Sequence, residues 1–339
     1  MSYPVVLIPG DGVGPEVTEA ARQIVDATGV SIEWKTHYAG GEAVERFGSP
    51  LPEETLSAIS EAGTALKGPL ATASGTGFRS VNVEIRKRLD LYANFRPARS
   101  MAGIRSRYAD VDLIVIRENT EGLYSGLEHE VVPGVVESLR IVTKRASERI
   151  ARFAFETARK YGREKVTCVH KANILKLSDG LFLECARDEH KRGFTQIEYE
   201  ERIIDAACMQ LVQDPGQFDV LLCENLYGDV ISDLCAGMVG GLGVTPGANF
   251  GDRRAIFEAV HGTAPDIMGK NLANPLALLM SAVMMLNYLA ANREDPACAE
   301  IANRLKDAYN GCLDAGEKTR DLGGTLSCSR FTEAVIARL

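Results

Sequence analysis

Short apolar runs alternate with longer stretches of helical period along most of the chain. The opening PVVLIPG is a β-branched run halted by proline and glycine; after DGVGPE, the residues Val17, Ala20, Ala21, Ile24 and Val25 fall on one helical face. This pattern predicts strand, glycine turn and helix, with Pro15 in the first helical turn and Glu16 and Glu19 near the positive helix end. Comparable strand-like runs recur at VDLIVIRE, VTCVHKA and FDVLLCE, separated by helix-like stretches such as ASERIARFAFETARK and LSDGLFLECARDEHK. Such alternation predicts an α/β architecture with helices packed on sheets. Between Glu121 and Thr143 the pattern changes to two strands joined at Pro133-Gly134. A hairpin alone is marginal in water, so this one is expected to pair with a second subunit. The stretch ALLMSAVMMLNYLAA, interrupted by Asn287, falls short of the roughly 20 residues of a membrane span. It is expected to be a buried helix or a subunit contact.

Composition narrows the picture. A chain of 339 residues, 45% hydrophobic and 25% charged, can bury a large core and supply two domains. Its net charge of -8, with Lys and Arg scattered, offers no broad cationic face, so no nucleic-acid partner is expected. The amino end has too short an apolar stretch for a signal and no basic segment before it; a cytoplasmic location without a membrane partner is expected. Cys168, Cys185, Cys208, Cys223, Cys235, Cys298, Cys312 and Cys328 are widely spaced, form no CxxC pair and read as reduced, mostly buried thiols. The five histidines show no close pairing for a soft-metal centre.

Three clusters could carry chemistry. GDGVGPE tempts a dinucleotide reading, but Pro15 stands where the third glycine belongs, and no acidic residue convincingly closes a second strand about 20 residues on. A structural glycine turn near a cleft is the better reading. In NLYGDVISDL, Asp229 and Asp233 are four apart and share a helical face; they suit either a hard cation such as Mg²⁺ or Mn²⁺ or a solvated helix face. Asp205, a lone acid in an apolar segment, is either a third ligand or a cap. Arg79, Arg86, Arg88, Arg96 and Arg99 either enter a cleft to grip carboxylates or neutralise an acidic surface. If Ser80, Asn82 and Arg86 begin a helix, its positive end also favours an anion there. The preceding SGTGF reads as a phosphate-adjacent loop or as a turn.

Taken together, IPGDGVGPE, LDLYANFRP, RENTEGLYSG, HKANIL, NLYGDVISDLCAGMVGGLGVTPGANFGD, HGTAPDIMGKNLANP and the closing DLGG resemble the β-decarboxylating dehydrogenases across essentially the whole chain. The resemblance implies a two-domain α/β fold of the isocitrate/isopropylmalate dehydrogenase type, distinct from the Rossmann nucleotide fold. Residues 1–98 and 241–339 would form the large domain and 99–240 the small one, with an interlocking arm at about 121–143. It further implies a homodimer with shared active sites, or a higher oligomer. Within the family, Ser80, Asn82 and Arg86 resemble isocitrate enzymes, because Ser and Asn can hydrogen-bond an extra carboxylate and would be left unpaired by an alkyl group. Homoisocitrate is the nearer rival substrate and 3-isopropylmalate the further one. A non-catalytic regulatory subunit is the alternative of another class.

By the same resemblance, Arg86, Arg96 and Arg117 would grip the carboxylates of a hydroxy-tricarboxylate. Asp229, Asp233 and a partner chain's Asp205 would hold Mg²⁺ or Mn²⁺. Lys171, oriented by Asn173, would carry the hydroxyl proton and Tyr124 would protonate the enolate carbon; proximity to the cation should depress both pKa values. The product would be 2-oxoglutarate, as in the tricarboxylic acid cycle. His261, Gly262, Ala264, Ile267 and Asn274 would flank adenosine, and Thr72 and Asn82 the nicotinamide. Asp266 would accept from the ribose hydroxyls, implying NAD and not NADP.

Overall fold

The computed structural model describes residues 2–72 and 80–339; Arg79 and the SGTGF run lie outside the described residues. In chain order its strands are β1 Tyr3–Ile8, β2 Ile32–Thr36, β3 Thr64–Lys67, β4 Ala93–Arg99, β5 Asp112–Glu118, β6 Gly122–Val132, β7 Val135–Ile141, β8 Lys165–His170, β9 Glu198–Ile203, β10 Val220–Cys223, β11 Pro246–Phe250 and β12 Ala255–Ala259. Ten of them form one sheet in the order β2-β1-β3-β12-β11-β4-β5-β10-β8-β9, and β6 pairs only with β7. The outer pairings are parallel, while β12/β11, β11/β4 and β4/β5 are antiparallel. Two parallel halves therefore meet across a central antiparallel segment.

Helices cover both faces, which is why the strands read as nearly continuous apolar runs. Along β5, Ile114 and Ile116 face a core completed by helices Lys144–Lys160 and Ser178–Gly193, whereas Leu113 and Val115 face helices Ile204–Gln213 and Asn225–Val239. At the other end of the sheet, helix Leu276–Arg293 lies in the largest core, against β11, β12 and helix Pro296–Asp314. This is the one helix among the described residues long and apolar enough to cross a membrane, and 61% of it is buried inside the protein. Of the two alternatives its interrupted apolar run left open, it is the buried helix. The eight cysteines are free and seven are buried.

The glycine motif after β1 is structural. Gly12 has φ +59, and a Cβ there would lie 2.1 Å from the carbonyl oxygen of Thr263. Gly10, at φ +85, meets Pro69 O in the same way. The turn also presents Asp11, whose carboxylate accepts the backbone N–H groups of Gly41 and Ala71, both at 2.8 Å. Far from cradling a pyrophosphate, GDGVG fastens three chain segments together.

The hairpin β6/β7 turns at Pro133-Gly134, as its pattern predicted. Its outer part leaves Leu127, Val131, Val132, Val135, Val136 and Leu139 exposed. Apolar side chains in this number on a two-stranded ribbon are unusual for a free surface.

Candidate active site

From the middle of β4 and the end of β5, Arg96 and Arg117 point to the face covered by helix Asn225–Val239, and helix Val81–Arg88 adds Arg86. All three are buried, Arg117 to 1% exposure. The close approach of helix and sheet depends on Gly228, where a Cβ would stand 2.6 Å from Arg117 Cβ. Asn225 receives Arg117 Nε and Nη2 at 3.0 and 2.7 Å. Asp229 pairs with Arg117 Nη1 and accepts the Tyr124 hydroxyl on its other oxygen. One turn further, Asp233 lies 3.6 Å from Arg96 Nη1. Both aspartates therefore turn to the arginines from one helical face, as their spacing predicted.

Crowding of like charge is visible in the titration of these groups. Burial, with Arg117 and Arg86 alongside, lowers Arg96 to about 10; burial and Arg86 also lower Arg117. Burial raises Asp233. At Asp229 the burial penalty is outweighed by Arg117 and the Tyr124 hydrogen bond, so this carboxyl is lowered. Tyr124 itself is raised in the metal-free chain, by burial first and by the Asp229 hydrogen bond second. A phenol donating to a carboxylate is stabilised in its neutral form.

Beneath Arg86 lies a pair that the sequence did not reveal. Lys67 and Glu258 are register partners on parallel β3 and β12, with Nζ and Oε2 2.8 Å apart. The other Glu258 oxygen takes Arg86 Nη2 at 2.9 Å and Asn249 Nδ2 at 2.8 Å. Burial would raise this carboxyl, but Lys67 and Arg86 hold it far below the ordinary range. Four cations (Lys67, Arg86, Arg96, Arg117) thus share three carboxylates (Glu258, Asp229, Asp233), an excess of positive charge suited to an anionic ligand. At the cleft's edge Ser80 precedes helix Val81–Arg88, its Oγ 3.3 Å from Thr72 Oγ1. Asn82 Oδ1 and Arg86 Nε are buried and without a hydrogen-bond partner among the described residues. Arg88 and Arg99 instead pair at the surface with Glu53 and Asp112.

Lys171 follows β8, and its Nζ reaches Asp205 Oδ1 at 2.5 Å, at the start of helix Ile204–Gln213. Asn173, expected to orient it, is exposed and makes no side-chain hydrogen bond among the described residues. The Lys171 backbone is instead held by Asp179, whose Oδ2 accepts its N–H at 2.6 Å. Among the described residues no three His, Cys, Asp or Glu side chains of one chain form a metal-sized group. Asp205 accordingly stands with Lys171, apart from the Asp229 and Asp233 pair. Glu224, which had no evident role, caps helix Asn225–Val239 by accepting Tyr227 N–H at 2.8 Å.

A separate pocket of about 230 Å³ is lined by His261, Gly262, Ala264, Ile267 and Asn274 together with Val13 and Asp321. His261 Nδ1 lies 3.0 Å from Gly262 O, an arrangement that makes Nδ1 the donor and leaves the buried Nε2, unpartnered among the described residues, as an acceptor. Burial lowers the His261 pKa, favouring the neutral ring. Asp321, in the closing DLGG stretch, was not anticipated; it accepts Asn274 Nδ2 at 2.9 Å and Thr319 Oγ1 at 2.6 Å. Asp266 is exposed beside this pocket, in the single turn Pro265–Ile267. Two larger cavities of about 490 Å³ share Pro97, Arg99, Met284 and Asn287; Arg99 is the one candidate arginine lining them, and it lies away from the cleft.

A central mixed sheet, a cationic cleft with two helix-borne aspartates and a pocket built on HGTAPDI define a class, and residues 4–335 match the family described as Isocitrate/isopropylmalate dehydrogenase. The chain belongs to that family. Among its relatives, "Isocitrate dehydrogenase [NAD] catalytic subunit 5, mitochondrial" of Arabidopsis thaliana is 52% identical over 98% of this chain and 87% of its own length. "3-isopropylmalate dehydrogenase, chloroplastic" of Solanum tuberosum is 54% identical over 92% of this chain and 85% of its own. A mitochondrial isocitrate dehydrogenase [NAD] regulatory subunit of Dictyostelium discoideum is 49% identical over 99% of this chain and 91% of its own. The crystal structure of isocitrate dehydrogenase from Methylococcus capsulatus superposes with a TM-score of 0.94 at 47% identity, covering 99% of each chain. The family's two-domain α/β fold, distinct from the Rossmann fold, is therefore the fold of this chain. The cytoplasmic location expected from the amino end is overturned: the isocitrate dehydrogenase [NAD] relatives are named mitochondrial.

Proposed function

We propose that the chain catalyses NAD-dependent oxidative decarboxylation of isocitrate to 2-oxoglutarate and CO₂, with Mg²⁺ or Mn²⁺. The observation that carries this reading is the cleft itself: an excess of buried guanidinium and ammonium charge, with Asn82 Oδ1 and Arg86 Nε buried and, among the described residues, unpartnered beside Ser80. Arg86, Arg96 and Arg117 are suited to hold three carboxylates, and Ser80 and Asn82 to hydrogen-bond the one that an alkyl-bearing substrate lacks. An apolar group there would leave buried polar atoms unpaired, which disfavours 3-isopropylmalate despite the potato relative. Homoisocitrate, also tricarboxylic, remains the rival.

The donor set fits a hard divalent cation: Asp229 and Asp233 offer carboxylate oxygens from one helix face, and Asp205 of a second copy would complete the set. Such an ion, when bound, polarises the 2-hydroxyl and stabilises the negative oxygen that decarboxylation leaves. Lys171 would take the hydroxyl proton and Tyr124, raised and therefore protonated at neutral pH, would deliver a proton to carbon. The arginines orient the substrate so that its C2 hydride faces the nicotinamide near Thr72 and Asn82. Asp266 would accept from both ribose hydroxyls, and His261, Gly262, Ala264, Ile267 and Asn274 would enclose the adenine end.

This reading needs a homodimer, because Lys171 and Asp205 of one chain would complete the arginine cleft of the other. The exposed apolar side chains of the arm, together with Met209, Val212 and Val230 on the two small-domain helices, support such a contact. A division into residues 1–98 plus 241–339 and 99–240 would let the cleft close. A purely regulatory role, suggested by the Dictyostelium relative, is disfavoured because every charged group of the constellation is present. The test is to assay the purified chain alone with isocitrate, homoisocitrate and 3-isopropylmalate, each with NAD and NADP, in Mn²⁺ and in Mg²⁺. The highest kcat/KM is expected for isocitrate with NAD; a higher value for another acid, or no turnover of any, overturns the reading.

A further inference from the structure

The side chain that binds the lysine loop to the arm is Asp179, in the first turn of helix Ser178–Gly193 and only 1% exposed. Its two oxygens are divided: Oδ2 accepts the Lys171 backbone N–H at 2.6 Å, and Oδ1 accepts Arg140 Nη1 at 2.5 Å. Arg140 sits on β7 at the foot of the arm, one residue before Ile141, which pairs with the first residue of β6. Its guanidinium also lies 3.4 Å from Glu224 Oε2 and 5.2 Å from the centre of the Tyr227 ring, both at the start of the helix that carries Asp229 and Asp233. One partly buried cation thereby joins the arm, the lysine loop and the aspartate helix. Lys171 is tied at both ends, its backbone to Asp179 and its ammonium to Asp205.

We propose that Asp179, locked by Arg140, is a positioning residue that sets where Lys171 stands, so that the placement of the lysine depends on the seating of the arm. This rests on the reading of Lys171 as proton carrier. Asp179 never touches substrate. Its effect is geometric, and a displacement of about 1 Å at a catalytic group can cost on the order of 100-fold in rate. A buried carboxylate deprived of its cation must either find water or rotate away, and either response frees the Lys171 amide.

The experiment compares Asp179→Asn, Arg140→Met and Arg140→Lys in the full-length protein, assayed with isocitrate, NAD and Mn²⁺. Asp179→Asn and Arg140→Met are expected to lower kcat by about 10- to 100-fold, with KM within about threefold. Arg140→Lys, which keeps the charge, should recover most of the rate. The decisive readout is the Lys171→Met background: its residual turnover should not fall further when Asp179→Asn is added, because the two act in series. Should Arg140→Met fail to accumulate, Arg140→Gln takes its place with the same expectations. A loss of similar size in the Lys171→Met background, or a rise in KM with kcat intact, overturns the positioning role. Lys171→Met with wild-type turnover sinks both this inference and the assignment of Lys171; an inactive Lys171→Met beside a fully active Arg140→Met sinks this inference alone.

Discussion

The arginine cleft and the lysine loop are built to opposite standards. Arg86, Arg96 and Arg117 are buried in a lattice of hydrogen bonds that runs through Asn94, Asn225, Asn249 and Glu258. Asn94 and Asn119 both donate to Asn249, each at 2.9 Å, so even the second layer is fixed. Lys171 and Asp205, by contrast, sit on a turn and a helix start and remain open to solvent. The difference teaches that the cationic cleft is preorganised in the sheet, where unpaired groups would be costly, while the Lys171–Asp205 pair, for which proton transfer is proposed, stands close to solvent.

Substitutions should separate the two standards. Arg117→Met should be the most damaging, with kcat/KM for isocitrate down by about 10³-fold or more and a clear fall in the thermal midpoint, because Asp229 loses its buried partner. Lys171→Met should also cost about 10³-fold in kcat yet leave the thermal midpoint unchanged, since it removes only an exposed pair. Equal losses of stability in the two variants, by calorimetry, would erase the contrast.

Glu258→Gln tests the cleft's floor through stability, with an expected loss of about 3 kcal/mol from a broken buried ion pair. Because this carboxyl titrates far lower folded than at its unfolded value near about 4.3, its contribution is fully present above that pH and declines as pH falls further. Denaturation of wild type and variant across pH 3–7 should therefore show a constant gap above about pH 5 that narrows in acid; a gap that widens in acid contradicts the network. Ser80→Leu is expected to shift the ratio of kcat/KM for isocitrate over 3-isopropylmalate by about 100-fold toward the latter. Smallest of all, Asp266→Asn should relax the preference for NAD over NADP by roughly tenfold in competing-cofactor assays.

Much of this was legible where the pattern is local. Asp229 and Asp233 share a face because four residues span about one helical turn, and the turn at Pro133-Gly134 announced the hairpin. The five arginines were harder to sort. Arg86 and Arg88 lie two apart on a helix and so face nearly opposite ways; Arg96 and Arg99, three apart on β4, point to opposite faces of the sheet. Periodicity separates each pair but does not say which member faces inward. Lys67 with Glu258, Asn274 with Asp321 and Lys171 with Asp179 meet only through strand register, a loop or a helix start, none of which a linear pattern encodes. Asn173 drew notice through its place beside Lys171, whereas the group that holds the backbone lies eight residues on.

With Asp205 committed to Lys171 and Asp229 to Arg117, the two damaged proteins Arg117→Met and Lys171→Met should rescue one another when mixed. Subunit exchange would create mixed pairs in which one site inherits both lesions and its twin inherits neither. Complementation between two inactive preparations, approaching a quarter of normal turnover at equal dose, is the outcome expected of the proposed arrangement, in which each site draws its lysine and its arginines from different copies of the chain.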